Sequence, residues 1–120
     1  MMGGSALKVQ GQNISMIRGD NESITVFCCN SDGNPIPFQN GDTVYLTVKS
    51  TTCTDKKLFQ KVITQFTPDG KAVIAIDPED TKALAFQTYV YDVQWTKSDG
   101  TVTTIIPPSG FIVGGEVTYE

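Results

Sequence analysis

The chain has 120 residues, nine of them basic and thirteen acidic, with no histidine and 39% apolar content. A chain of that size can bury roughly two-thirds of its unfolded surface, so one core needs no metal or disulfide staple. The lack of histidine removes the commonest general base and zinc ligand, and a net charge of -4 with Arg18 the only arginine argues against nucleic acid, whose phosphates need neutralising.

Met1 to Lys8 holds no apolar signal core, and no stretch reaches the ~18 apolar residues needed to cross a bilayer, so no membrane partner is expected. Met1 to Ser5 read as a flexible lead or a cloning remnant ahead of one domain spanning residues 1–120. Period-two alternation then runs from end to end, with no apolar stripe at helical spacing longer than about two turns. The chain is therefore expected to be all-β.

Ile14 to Ile17 reads as a first strand, with Leu7 to Val9 a further candidate before it. Arg18-Gly19-Asp20 spells a tripeptide that binds integrins on exposed loop tips, but a turn between strands accounts for it more simply. Ser23 to Cys29 is the second strand, with Ile24, Val26 and Cys28 on one face and Thr25, Phe27 and Cys29 on the other. Asn30 to Pro35 breaks it. Asp42 to Ser50 alternates most clearly, setting Val44, Leu46 and Val48 against Tyr45, Thr47 and Lys49. Leu58 to Phe66 and Lys71 to Ile76 read as a hairpin around Thr67-Pro68-Asp69-Gly70, and Lys56, Lys57 and Lys61 as a charged edge that resists unwanted strand pairing.

Asp77-Pro78-Glu79-Asp80 is the one helical signal: Asp77 suits a cap, Pro78 the first helical position, and the acids the positive end of the dipole. Gln87 to Lys97 carries Tyr89, Tyr91, Val93 and Trp95 on one side, the expected centre of the core. Ser98-Asp99-Gly100 turns it into Thr101 to Ile106, and after Pro107-Pro108 a last strand runs from Phe111 to Thr118, with Gly114-Gly115 a bulge or tight bend. Tyrosines just after a helical turn resemble the tyrosine corner of sandwich domains. The expectation is an immunoglobulin-like β-sandwich of seven to eight antiparallel strands with one short helical turn.

Chemistry is sparse. The acids fall at turns (Asp32, Asp69, Asp99) or at the helix start, where backbone needs explain them. Asp77, Glu79 and Asp80 are weak candidates for a calcium site, without an Asp-x-Asp-x-Asp-Gly loop to support them. Cys28 and Cys29 point to opposite faces of one strand and are read as free thiols, with a bridge to Cys53 the alternative. Asn13-Ile14-Ser15 and Asn21-Glu22-Ser23 match glycosylation acceptors, which need a secretory route to matter. No catalysis, cofactor or small-molecule substrate is expected, and Phe27 and Tyr45, if outward-facing, are the candidate interface anchors.

The order of Ile17-Arg18-Gly19-Asp20, Asp32-Gly33-Asn34-Pro35, Gly41 to Lys49, Ile76-Asp77-Pro78-Glu79-Asp80-Thr81, Tyr89-Val90-Tyr91-Asp92-Val93 and Gly100 to Thr104 resembles a phage family. It is similar to the N-terminal domain of baseplate upper proteins and related small immunoglobulin-like tail proteins from phages of Gram-positive hosts, over about Ile14 to Thr118. The resemblance implies a structural protein of the virion, made in the host cytoplasm and contacting other virion proteins and further copies of itself. A tail or baseplate part is expected, with a capsid-decorating or neck subunit, or a bacterial adhesin-type module, as alternatives.

Overall fold

The computed structural model describes residues 13–115; the alternation at Leu7 to Val9 and the end of the last expected strand lie outside the described residues. Seven strands are described: β1 (Ile14–Ile17), β2 (Glu22–Val26), β3 (Thr43–Lys49), β4 (Lys57–Ile63), β5 (Ala72–Ile76), β6 (Gln87–Thr96) and β7 (Val102–Gly114), with the helical turn α1 (Pro78–Thr81) between β5 and β6. They form a five-stranded sheet in the order β1-β7-β6-β3-β4 and a two-stranded sheet of β2 and β5.

The alternation read in the sequence sets which side chains are shared between the layers. Val44, Leu46 and Val48 of β3 and Val93 of β6 are fully buried with Ile74 and Ile76 of β5, and Tyr89, Tyr91 and Trp95 join the same cluster. Each such side chain contributes about 1.5–3 kcal/mol by leaving water. Phe111 closes one end of the core edge-to-face against Phe59 and Tyr91, while Phe38 packs edge-to-face on Trp95 at the other.

Three expectations need correction. The segments around Thr67 to Gly70 are not a hairpin: β4 pairs with β3 and β5 with β2, so the chain changes layers at this turn. The turn itself is tight, with the Gly70 N–H donating to the Thr67 carbonyl at 2.8 Å. It is anchored to the crossing segment instead, because the Phe38 N–H donates to the Gly70 carbonyl at 3.0 Å and Phe66 stacks on Phe38. A Cβ on Gly70 would lie 2.3 Å from Pro37 Cβ, and its φ of +78° already favours glycine.

The two strands expected on either side of Pro107-Pro108 are one strand, β7. Tyr91 pairs with Ser109 and Val93 with Ile106, so an extra residue bulges opposite Asp92 and the two prolines sit where no ladder bond is required. The strands are not all antiparallel either. β1 runs parallel to β7, pairing Ile14 with Phe111 through Ile17 with Gly114. The short turn after β1 hands the chain to the other layer, so β1 does not pair with β2.

Asp42 holds the end of the core together. Its buried carboxylate accepts the Trp95 indole N–H at 3.0 Å, the Gln39 backbone N–H at 2.9 Å and the Ser98 backbone N–H at 3.1 Å. One side chain thereby joins the loop before β3, the turn after β6 and the indole between them. Replacing Asp42 by alanine strands the buried indole N–H and frees the two part-buried backbone donors, so Asp42→Ala is expected to lower the free energy of unfolding by about 2–3 kcal/mol in urea denaturation. A loss within the few tenths typical of a surface change would contradict this assignment.

Candidate interaction surface

The smaller sheet covers only part of the larger one. β5 lies near β4, and β2 lies above β6 and β7, so a cleft of about 200 Å³ opens on the side of β2 away from β5. Its floor is Leu46, Val93 and Ile105 of the larger sheet, and Asn13 and Ile14 stand at its mouth. Every residue from Ile24 to Cys29 lines the opposite wall, whichever face its side chain takes. From Ile24 to Val26 that wall is the backbone edge of β2, whose only strand neighbour among the described residues is β5, and beyond it Cys29 bridges to Pro35. β2 carries one charge, Glu22 at its start, and Ser23 to Phe27 contain no proline or charged residue to blunt that edge, unlike the β4 edge, where Lys56 and Lys57 are exposed.

Phe27 points outward and is 55% exposed, beside the exposed Val73 of β5, with the Lys71 ammonium 5.2 Å from its ring centre. Tyr45 is half-buried on the outer face of the five-stranded sheet, paired in register with the exposed Val62. The two candidate anchors thus face outward from opposite layers. Sequence reasoning did not find the open edge between them, since an unpaired strand has the same alternation as a paired one.

Cys28 is buried in the cleft wall, Cys29 is partly buried beside it and Cys53 is exposed, and none is bridged. Burial, helped by neighbouring Cys29 and opposed by Lys97, pushes the Cys28 thiol up to about 11. Alkylation of the native protein at mildly alkaline pH is expected to modify Cys53 first and Cys28 only at the rate of opening, read by mass after a time course. Equal rates at both thiols would contradict the closed wall.

The acids at α1 serve the local fold. The Asp80 carboxylate accepts the Asp77 N–H at 2.8 Å and pairs with the Lys61 ammonium at 2.6 Å, which also lies 3.5 Å from Asp77. Glu79 is exposed to solvent. Burial lowers the proton affinity of Lys61, but Asp80 and Asp77 outweigh it and hold the pKa above the ordinary lysine value. Lys61 thus turns to α1 and leaves the charged edge to Lys56 and Lys57. No group of three or more histidine, cysteine or acidic side chains able to hold a metal gathers among the described residues.

Arg18-Gly19-Asp20 is the expected turn, closed by the Asp20 N–H on the Ile17 carbonyl at 3.1 Å with Gly19 at φ +86°. It is tied to the opposite connection: the Gly19 N–H donates to Thr81 Oγ1 at 3.0 Å, and the Arg18 guanidinium lies 4.2 Å from the Phe86 ring centre. The Phe86 ring in turn lies against Gly115, where an added Cβ would come within 2.9 Å of it. The Tyr89 hydroxyl donates to the Ala85 carbonyl at 2.9 Å, the backward bond that a tyrosine corner requires.

No protein-family model matches the chain, and no curated protein is similar to it. Among solved structures it is similar to CopC from Methylosinus trichosporium OB3b, with a TM-score of 0.50 and 12% identity over 96% of this chain and 98% of that one. Murine CRIg is a weaker likeness, with a TM-score of 0.43 and 12% identity over 92% and 97% of the two chains. At this identity the likeness to CopC speaks for a shared fold and leaves function to the site.

Proposed function

We propose that this chain is a non-catalytic assembly module of immunoglobulin-like sandwich form, working through protein–protein contacts in a phage particle as a tail or baseplate part. The observation that carries an assembly role is the edge of β2 that has no strand neighbour among the described residues, above an apolar cleft. Unpaired backbone donors and acceptors beside buried apolar side chains are what an added strand needs: the ladder supplies affinity and alternate side chains fill the cleft. The cleft beside that edge, floored by Leu46, Val93 and Ile105, gives the alternate side chains of an added extended segment an apolar seat.

The virion setting draws its support from the order of turn and strand signatures in the sequence. Purified particles are expected to contain the chain in fixed proportion to the other tail proteins, measured by quantitative mass spectrometry. A charge at the edge, Thr25→Lys, is expected to cut incorporation severalfold while the circular dichroism of the free protein stays unchanged, since Thr25 is exposed. Particles that lack the wild-type chain would overturn the reading.

A further inference from the structure

We infer that the outer face of the five-stranded sheet is a self-association surface, which brings two copies of this chain together about a two-fold axis near the middle of β6. The inference deepens the assembly reading by naming one partner, and it uses a surface that the β2 edge does not touch.

Alternation fixes what this face presents. Between the buried Val44, Leu46 and Val48, β3 turns Tyr45 and Thr47 outward; between Tyr89 and Trp95, β6 turns out Val90, Asp92 and Gln94; β7 adds Ile112. Tyr45, Gln94 and Val62 stand in one cross-strand row, with Val62 53% exposed and Val102 58% exposed toward one end. Apart from Asp92 and Lys49 the named side chains of this face are uncharged, with Tyr45 the aromatic among them, and aromatic residues with few charges mark the centre of an interface.

Charge complementarity favours a second copy. Of the acids among the described residues, Asp92 alone is on this face, and Lys49 is its diagonal neighbour, two pairs further along the β3–β6 ladder. Burial raises the Asp92 pKa and Lys49 draws it back, so the two already share a field. The remaining acids of a chain with net charge -4 lie at turns, at α1 and on the smaller layer, where they repel a like copy. A two-fold axis beside Asp92 sets each Lys49 toward the other copy's Asp92 and keeps those acids apart.

The area is sufficient. Five strands about 4.8 Å apart and about 25 Å long offer roughly 600 Å² in projection, near the ~800 Å² of accessible surface that each member of a stable pair covers.

The test is the mass of the full chain by light scattering across a concentration series, compared with the 13.0 kDa of one chain. The wild type is expected to rise to twice that mass. Tyr45→Glu, at the centre of the face, is expected to weaken pairing at least about tenfold, with near-ultraviolet dichroism reporting an intact fold. Lys49→Glu is expected to weaken it about threefold, and Lys49→Glu with Asp92→Lys to restore it. A wild type that stays single at millimolar concentration, or a dimer unaffected by both Tyr45→Glu and Lys49→Glu, would overturn the inference. A chain found in particles but always single sinks self-pairing alone, whereas a chain that pairs but never enters particles sinks the virion reading alone.

Discussion

Among the described residues two strands lie over five and leave one side of the core short of cover, and the cleft beside β2 follows from that mismatch. The apolar contact of Leu46, Val48 and Val93 with Ile74 and Ile76 is what joins the layers. It is centred where β5 and β2 lie; at the far side Ile106 is only partly buried, and it lines the cleft with the buried Ile105. Four exposed apolar side chains lie on the outside of the same layers, Phe27 and Val73 on one and Val62 and Val102 on the other, while Ile17 and Phe86 are exposed near the Arg18 turn. Burial that stabilises the fold and surface that meets a partner are therefore two faces of the same alternating strands.

What keeps so unequal a pair of layers in register is a small set of polar pins at the ends. Asp42 ties the loop before β3 to Trp95 and to the turn after β6. At the other end, Gly19 is bonded to the buried Thr81, and Arg18 lies on Phe86. Lys61 binds α1 to β4 through Asp80. Each pin spans connections from different layers or strands, so the middle of each sheet is left free to be plain alternating side chains. Partly buried pairs of this kind add little stability when intact, and removing one partner is where their energy becomes visible.

Much of this was legible in the chain itself. Alternation located β3 and β6 and their inward faces, because a period of two follows directly from the pleat. Asp77-Pro78 marked the helical turn and Tyr89 its corner. Pairing was less legible: nothing in Leu58 to Ile76 says that the turn at Gly70 changes layers, since that depends on Pro37 and Phe38, thirty residues earlier in the chain. Pro107-Pro108 looked like a break because a bulge that shelters proline from the ladder is set by the partner strand β6. Asp42 looked like a strand boundary; its role depends on an indole 53 residues away. Of the interaction surface, Phe27 and Tyr45 were visible as outward aromatics, while the open edge of β2 was not, since openness belongs to a neighbour and not to a sequence.

The assembly role depends most on the β2 edge being open in the isolated chain. Amide hydrogen exchange across Glu22 to Val26 reads it directly, because an edge strand bonds through every second residue only. The structure predicts alternate amides exchanging as fast as exposed backbone, with those between them protected by β5. Continuous protection along β2 in dilute solution would mean that the edge is already covered, and would contradict the account.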